Sequence, residues 1–242
     1  MIMRLILIPG TRNARESGYA EAENLPNSDV STLKKMQLYA ITNRHLLPGS
    51  ETQQSIALVE LARQWSQRGV DYIQIREKDL NPSELFALTR QIVAAVRKES
   101  QTTRILLNGP AEIALEAEAD GIHLPANAPG EAAEQARELF RQAGREATIS
   151  HACHNLEEIQ KANRASLILY APVFEKVTPR GTLPGQGLRA LTEAIQAAGS
   201  IPVFALGGVT RQNAPACIAA GAAGIAAIRI FLEKDLLSEL RR

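Results

Sequence analysis

The chain has 242 residues, of which 45% are hydrophobic and 22% are charged, a composition typical of a globular protein and not of a disordered one. Its 27 Lys and Arg against 26 Asp and Glu give a formal net charge of +1, so no global positive field gathers nucleic acid, and any anion must be bound locally. No apolar run approaches the roughly 18 residues that span a bilayer. We therefore expect neither a nucleic-acid partner nor a membrane partner.

The cysteines and the N-terminus bear on the cellular compartment in which we expect the protein. Cys153 and Cys217 have neither metal-finger spacing nor the density of a disulfide scaffold, which favours a reducing environment. The opening apolar stretch is too short for a secretory signal. A cytoplasmic protein is the expectation.

Residues 1–36 differ in pattern from the rest of the chain. The stretch 12–35 is polar, with a turn signal at 24–27 and no sustained apolar period. We expect a flexible or loosely docked N-terminal extension over residues 1–36 and one folded domain over residues 37–242. Because Met36 directly precedes the first predicted strand, a misplaced start codon is an alternative explanation of the extension.

From residue 37 onward, short aliphatic runs alternate with helical patterns, which predicts parallel strands. Eight such units in roughly 200 residues fit the lower end of a (β/α)8 TIM barrel, which typically has about 250 residues. An open doubly wound sheet is the competing architecture. With only 4% aromatic residues, we expect a core of Leu, Ile, Val and Ala. The predicted strands are Gln37–Ile41, Asp71–Arg76, Thr103–Leu107, Gly121–Leu124, Ala147–Ser150, Leu167–Tyr170, Pro202–Ala205 and Gly224–Ile228.

Two helices have clear start signals. Asn81, Pro82 and Glu84 match an N-cap, a first helical residue and the acid of a capping box. Asn155 and Glu158 repeat this pattern before the fifth helix.

In a TIM barrel, catalytic residues lie at the carboxyl ends of the strands, and unusual polar residues gather at those positions here. They come from the loops after several different strands, so the barrel would bring them to one rim. The candidate residues are Gln74, Arg76, Lys78, Asn108, His123, His154, Lys176, Thr178, Arg180, Gly207, Gly208 and Arg229.

Gly207 and Gly208 are the clearest ligand signal. They follow an apolar strand and precede Thr210, which can cap a helix. Backbone N–H groups without a neighbouring Cβ can approach an oxyanion closely, and barrels commonly bind phosphate after the seventh and eighth strands. We predict a phosphate site here, with Arg229 as a countercharge. A structural turn that needs positive φ is the alternative, and Arg229 could instead belong to a surface ion pair.

The second strand ends in a cationic pattern. Gln74, Arg76 and Lys78 are two residues apart, so they point to one side while the chain stays extended, and Arg matches phosphate or carboxylate geometry. Glu77 and Asp79 alternate with these cations. Internal charge pairing in a solvated strand end is therefore the alternative to a second anion site.

His154 is the candidate for proton transfer. Because Asn155 caps the next helix, we expect the imidazole to lie near the positive end of the helix dipole, which disfavours imidazolium and keeps the base neutral. His151 is too close in the sequence to be separated from His154 as the acid or base. Cys153 and Cys217 have the pattern of small apolar packing residues.

These residues resemble the thiamine-phosphate synthase and TenI superfamily of (β/α)8 barrels. The matching motifs follow one another in order over about residues 37–232, and their ordered set is specific. They are Leu38-Tyr39-Ala40-Ile41-Thr42, Gln74-Ile75-Arg76-Glu77-Lys78-Asp79, Leu107-Asn108-Gly109, Ala119-Asp120-Gly121-Ile122-His123-Leu124-Pro125, His154-Asn155-Leu156-Glu157-Glu158, Pro172-Val173-Phe174-Glu175, Gly207-Gly208 and Ala220-Gly221-Ala222.

The resemblance also has departures that bear on the reaction. Synthases of this family join a pyrimidine pyrophosphate to a thiazole phosphate with magnesium, and they carry an Asp after the third strand and another after the fourth. Here Asn108-Gly109 and Pro125-Ala126-Asn127-Ala128 occupy those places, and Arg229 stands near a phosphate-binding Ser of the synthases. Both carboxylate anchors of a magnesium site are missing.

Asn-Gly and Leu-Pro at these places resemble the TenI branch. That resemblance implies a thiazole tautomerase, which converts a dihydrothiazole carboxylate phosphate into the aromatic thiazole with neither metal nor cofactor. By the same resemblance, His154 moves the proton. Arg76 and Lys78 hold the carboxylate end, and Gly207 and Gly208 hold the phosphate.

Three other functions stay open at this point. The chain could be a thiamine-phosphate synthase, in which case Mg²⁺ would be required. It could be a noncatalytic regulator that binds thiazole phosphate. It could also be another phosphosugar or indole-phosphate isomerase. The expected partner in every case is a small phosphorylated molecule. A homo-oligomer is compatible with the sequence, which does not fix the oligomeric state.

Overall fold

The structure is a computed structural model that describes residues 36–178 and 181–233. Predictions that concern residues 1–35, 179–180 and 234–242 lie outside the described residues; they include almost all of the predicted N-terminal extension. The described chain confirms the (β/α)8 barrel, because eight parallel strands close into a ring in the order β1-β10-β9-β6-β5-β4-β3-β2.

The strand bounds are close to the predicted ones. The barrel strands are β1 (Gln37–Ile41), β2 (Tyr72–Ile75), β3 (Arg104–Leu107), β4 (Gly121–Leu124), β5 (Thr148–Cys153), β6 (Leu167–Tyr170), β9 (Val203–Leu206) and β10 (Gly224–Ala227). Between β6 and β9, an antiparallel hairpin of β7 (Lys176–Thr178) and β8 (Gly181–Leu183) replaces part of the predicted loop.

Helices follow the barrel strands and cover the ring. Among the described residues they are α1 (Glu51–Gln67), α2 (Pro82–Arg97), α3 (Ala111–Glu116), α4 (Ala132–Gln142), α5 (Leu156–Lys161), α6 (Gly187–Ala198) and α7 (Ala214–Ala219), with 3-10 turns at Arg44–Leu46 and Ile230–Leu232. The predicted capping box of α2 is confirmed: Glu84 N–H donates to Asn81 Oδ1, and Asn81 N–H donates to Glu84 Oε2, both at 3.0 Å.

The core has two layers. The larger layer lies between the strands and the helices and is mainly aliphatic, as expected. The smaller layer fills the barrel interior, and there Tyr39, Tyr72 and Phe204 pack with ring centroids 5.6 to 5.8 Å apart. The barrel interior is thus aliphatic in most of its buried positions, as expected, with aromatic rings added at Tyr39, Tyr72 and Phe204.

None of the helices within residues 36–178 and 181–233 combines the length and apolarity that a bilayer crossing requires.

Candidate active site

The closed barrel brings most of the predicted site residues to one rim, because all eight strands run in the same direction. Neighbouring strands lie about 4.8 Å apart, and the pairing of β2 with β3, β4 with β5, and β9 with β10 sets which candidates are neighbours. Because β5 and β9 both flank β6, the loop with His154 and the turn at Gly207 lie at the same rim, separated by the end of one strand.

The Gly207-Gly208 turn follows β9 directly. Both glycines have positive φ, at +91° and +63°. A Cβ at position 207 would lie 2.7 Å from Pro172 Cα, and one at position 208 would lie 2.3 Å from the Glu175 carbonyl oxygen. Glycine is therefore required at both positions for close packing against the loop after β6. This reason is additional to the close approach of a ligand that the sequence suggests.

The same turn still presents unsatisfied donors. Within the described part of the chain, the N–H groups of Gly207, Gly208 and Val209 donate to no acceptor. Asn213 and Thr210 fix the turn, because Thr210 N–H donates to Asn213 Oδ1 at 2.7 Å and Asn213 Nδ2 donates to the Gly208 carbonyl at 3.0 Å. Successive free N–H groups of this kind form an anion-binding concavity.

Arg229 lies beside this turn, after the neighbouring strand β10. It is exposed and precedes the 3-10 turn Ile230–Leu232. Among the residues that the structure describes, no carboxylate pairs with it. The alternative of a surface ion pair therefore has no support in these residues, and the countercharge role remains a prediction.

The cations after β2 are also unpaired in the described structure. Glu77 and Asp79 bind Arg44, with Arg44 Nη1 at 3.2 Å from Glu77 Oε2 and 2.7 Å from Asp79 Oδ1. No ion pair within residues 36–178 and 181–233 involves Arg76 or Lys78. The alternative of internal pairing between these cations and the adjacent acids does not hold, because Arg44 takes both acids.

Gln74 and His123 are buried, whereas Asn108 is half-buried, as Arg76 is. Gln74 is buried, and its Oε1 has no hydrogen-bond partner. Asn108 N–H donates to the Ile75 carbonyl at 2.9 Å, which ties the loop after β3 to the end of β2. Buried polar groups normally have partners, so the predicted role of Gln74 in substrate binding is compatible with its free oxygen and stays a prediction.

His123 belongs to a buried polar chain inside the barrel. Its Nδ1 lies 2.8 Å from Ser150 Oγ, which in turn lies 2.9 Å from the Tyr39 hydroxyl. Burial lowers the pKa of His123 to about 3, and nearby positive charges, including those of Arg76 and Lys78, act in the same direction. His123 is therefore neutral at physiological pH and close to the cations of β2.

His154 directly follows β5 and is about half exposed. Its backbone N–H donates to Glu158 Oε2 at 2.6 Å, and its Nδ1 lies 3.0 Å from the same oxygen. The predicted capping box is thus only half formed: Asn155 accepts from Glu158 N–H at 2.9 Å, but the Glu158 carboxylate turns to His154. The Glu158 carboxylate places a negative charge beside the imidazole, in addition to the helix dipole expected there. A carboxylate in this position stabilises an imidazolium when the ring takes a proton.

His151 can now be separated from His154. It lies within β5, which runs to Cys153 instead of ending at the predicted Ser150. The His151 side chain is buried, with Nε2 at 3.1 Å from the Pro125 carbonyl oxygen, and burial lowers its pKa. It joins β5 to the loop after β4. Of these two histidines, only His154 is exposed at the rim.

The remaining candidates are partly outside the described residues. Lys176 is half-buried and begins the hairpin strand β7. The Thr178 side chain and all of Arg180 lie outside the described part of the chain, so the predicted roles of these two residues are not tested. Cys153 and Cys217 are buried packing residues, as expected. Burial raises the pKa of the Cys153 thiol to about 12 and that of the Cys217 thiol to about 11, so both stay protonated.

Sequence reasoning missed three contributors to this rim. Glu158 was assigned to helix capping alone, although an acid in the first turn of a helix can reach back to the residues that precede it. Arg44 gave no signal, because its partners lie 33 and 35 residues away. Ser150 had no visible polar partner in the sequence.

The donor set does not fit a magnesium ion held by protein carboxylates. The loops after β3 and β4 offer the amides of Asn108 and Asn127, and the acids after β2 are bound by Arg44. No group of three or more potential His, Cys, Asp or Glu ligands occurs within the described residues. Magnesium usually requires one or two carboxylates besides phosphate and water.

The described residues form a (β/α)8 barrel with a glycine turn of free backbone N–H groups after its seventh barrel strand and a cationic loop after its second. Comparison with known families agrees, since the profile of the family described as TMP-TENI, thiamine monophosphate synthase, matches residues 38–231. The chain belongs to this family.

Individual relatives give the same result. The chain is 33% identical over 210 residues to the thiamine-phosphate synthase of Methanoregula boonei, covering 86% of this chain and 91% of the relative. It is 31% identical over 218 residues to the thiamine-phosphate synthase of Caldanaerobacter subterraneus, covering 85% and 94%. Among solved structures, the thiamine phosphate pyrophosphorylase from Pyrococcus furiosus aligns with a TM-score of 0.67 and 25% identity over 86% of this chain and 93% of that chain.

Proposed function

We propose that the chain is an enzyme of thiamine biosynthesis that binds a phosphorylated thiazole at the carboxyl rim of the barrel. The observation that carries this proposal is the pair of anion-binding features at one rim, namely the free N–H groups of Gly207 to Val209 and the unpaired cations Arg76 and Lys78. A ligand with a phosphate at one end and a second anion at the other matches both features.

Of the reactions known in the family, the geometry best supports the thiazole tautomerisation. That reaction removes one proton from a ring carbon of the dihydrothiazole and returns a proton to the outer carbon of a double bond outside the ring, so that the double bond moves into the ring. It therefore needs a positioned base that later acts as an acid. The contact of Nδ1 with Glu158 leaves Nε2 of His154 for the substrate. In this proposal Nε2 takes the ring proton, Glu158 stabilises the imidazolium, and the same nitrogen returns the proton.

The donor set is the second support for tautomerisation. With amides in place of carboxylates after β3 and β4, the chain holds its anionic ligand with Arg76, Lys78 and backbone N–H groups. The ring proton can move without a change in the charge of either anion, and we assign no step to a metal.

Thiamine-phosphate synthesis is the second candidate, because the relatives reported above are named as synthases or as a pyrophosphorylase and none is named as a tautomerase. The two anion-binding features would then hold a pyrophosphate and a phosphate. The names favour this reaction, whereas the residues after β3 and β4 favour the first.

One experiment compares the candidates. The purified chain is given the dihydrothiazole carboxylate phosphate, and aromatisation is followed. In parallel it is given pyrimidine pyrophosphate and thiazole phosphate, with and without Mg²⁺, and product formation is followed. We expect rapid aromatisation and negligible thiamine phosphate. Robust synthase turnover would instead assign the second candidate. Binding of thiazole phosphate without proton exchange in deuterium oxide would indicate a noncatalytic regulator.

The variant His154→Gln tests the proton transfer. General acid–base catalysis contributes about 10²- to 10⁴-fold, so kcat for aromatisation should fall by that order while the affinity for thiazole phosphate changes little. His151→Gln is the matched control, because that side chain lies on the strand that precedes His154 but contacts the Pro125 carbonyl. Unchanged turnover in His154→Gln would remove His154 from the mechanism.

A further inference from the structure

In the loop after β2, the acids Glu77 and Asp79 alternate with the cations Arg76 and Lys78. These acids and cations do not pair with one another in the described structure. A buried residue from a different loop, Arg44, binds both acids, and Asp79 also lies 3.2 Å from His45 Nε2. Arg44 is 2% exposed, lies in the 3-10 turn after β1, and takes no part in the proton transfer proposed above. Its role is therefore not explained by the proposed reaction.

Arg44 is bound to the acids by both its backbone and its side chain. Its backbone N–H donates to the two Glu77 carboxylate oxygens at 3.2 and 3.1 Å. Nη1 donates to Glu77 Oε2 at 3.2 Å and to Asp79 Oδ1 at 2.7 Å, and Nη2 donates to Asp79 Oδ2. Such a set of charge-assisted bonds fixes the orientation of both carboxylates.

Thr42 extends this arrangement to the anion-binding loop. Its hydroxyl donates to Glu77 Oε1 at 2.6 Å and accepts from the Arg76 backbone N–H at 2.9 Å. The Arg76 backbone is thus held through one hydroxyl by the carboxylate that Arg44 holds. Glu77 is nearly fully buried, so it faces away from solvent while Arg76 is half-buried and Lys78 is exposed.

The charges in the loop after β2 explain why the contacts of Arg44 affect the binding of an anion. Arg76 and Lys78 carry two positive charges, and Glu77 and Asp79 would neutralise both if they turned toward them. Because the acids are bound to Arg44, the cations keep their charge for an anion. We propose that Arg44 is a positioning residue for anion binding, which withdraws Glu77 and Asp79 from Arg76 and Lys78. This inference rests on the proposed anion-binding role of Arg76.

Binding of inorganic pyrophosphate, measured by calorimetry at low salt, tests the inference. Arg76→Gln sets the scale, and we expect affinity to fall about 10- to 100-fold, as for the loss of charge-assisted hydrogen bonds. Arg44→Met should weaken binding by a similar factor, although it does not touch the ligand. The triple variant Arg44→Met, Glu77→Gln, Asp79→Asn should bind within threefold of the original chain, because no acid remains to compete for the cations.

A matched control separates positioning from general destabilisation. Arg97 also holds a buried carboxylate, Asp120, but at the amino-terminal end of β4, on the opposite rim of the barrel. Arg97→Met should therefore lose stability and leave pyrophosphate affinity within twofold. If Arg44→Met does not fold, the inference is tested with the triple variant, which should fold because it leaves no buried charge unpaired.

The outcomes distinguish the inference from the proposed function. If Arg76→Gln weakens binding but folded Arg44→Met does not, the positioning role of Arg44 is wrong and the anion site stands. A folded triple variant that binds as weakly as Arg76→Gln overturns the inference as well. If Arg76→Gln itself has no effect, both the anion site at β2 and the role of Arg44 are refuted.

Discussion

At the scale of single residues, the proposed chemistry depends on the contact between His154 and Glu158. The carboxylate accepts from the backbone of His154 and contacts its ring, so it fixes both the position and the tautomer of the imidazole. A histidine without such a partner would rotate freely at a half-exposed rim. Glu158 is therefore a positioning residue for the base, and its removal should affect turnover more than binding.

We predict that Glu158→Gln lowers kcat about tenfold or more, with KM changed less than threefold. The reason is the loss of a charge-assisted hydrogen bond that stabilises the imidazolium. The measurement is a kcat profile against pH for the aromatisation. Glu157→Gln is the control, because the adjacent Glu157 pairs with Lys161 at 2.6 Å and points away from His154. Equal effects of the two substitutions would contradict the prediction.

His123 gives a prediction about stability against pH. Burial holds its pKa at about 3 in the folded chain, against 6.5 for an unperturbed histidine. Between those values the unfolded chain binds a proton here that the folded chain does not. The contribution of this group to stability is thus fully present above pH 6.5 and is lost as the pH falls toward 3, with a slope of about 1.4 kcal/mol per pH unit.

The test compares urea unfolding of the original chain and of His123→Gln at pH 7.5, 6.0 and 5.0. The variant keeps a polar partner for Ser150 but cannot take up a proton. We expect its free energy of unfolding to fall less steeply below pH 6.5 than that of the original chain. Parallel pH dependences would show that His123 does not set this slope.

At the scale of elements, the turn after β9 and the loop after β6 form one packed unit. Phe174 N–H donates to the Gly207 carbonyl at 2.9 Å, and a Cβ at Gly208 would overlap the Glu175 carbonyl. The phosphate-type turn is thus shaped by a neighbouring loop as well as by its own residues. Changes in that packing should alter both stability and anion binding.

We predict that Gly208→Ala destabilises the fold more than Gly144→Ala does. Both positions have positive φ, at +63° and +71°, but a Cβ at 144 would meet no atom within 4 Å. Gly144→Ala should therefore show only the cost of the backbone conformation, about 1 to 2 kcal/mol. Gly208→Ala should cost about 1 to 3 kcal/mol more through steric overlap. Equal shifts in urea unfolding would mean that the turn relaxes freely.

The elements also show how far sequence reasoning reaches. Aliphatic runs and turn residues predict all eight barrel strands, because a parallel strand buried on both faces has a continuous apolar pattern. The hairpin after β6 was not predicted, since its strands have three residues each and carry no clear period. Arg44 and Ser150 were missed for another reason: their partners come from distant segments, and no local pattern encodes contacts of that kind.

At the scale of the whole molecule, the barrel closes by pairing its first strand with its last, as Gln37 to Ala40 align with Gly224 to Ala227. Trp65 from α1 covers this closure. Its ring is 1% exposed, and its Nε1–H donates to the Phe231 carbonyl in the 3-10 turn after β10 at 2.9 Å. Segments from the two ends of the barrel are thus joined at one buried tryptophan.

Because Trp65 is the only tryptophan of the chain, its fluorescence reports directly on this closure. In a closed ring every strand is hydrogen-bonded on both sides, so a strand can separate only by breaking the hydrogen bonds of its neighbours. We therefore predict that the barrel unfolds in a single cooperative transition. In urea, the fluorescence and far-UV circular dichroism curves should coincide within error. If the barrel instead opened first between β1 and β10, the fluorescence transition would come at a lower urea concentration than the loss of helix, and the prediction of one cooperative unit would be wrong.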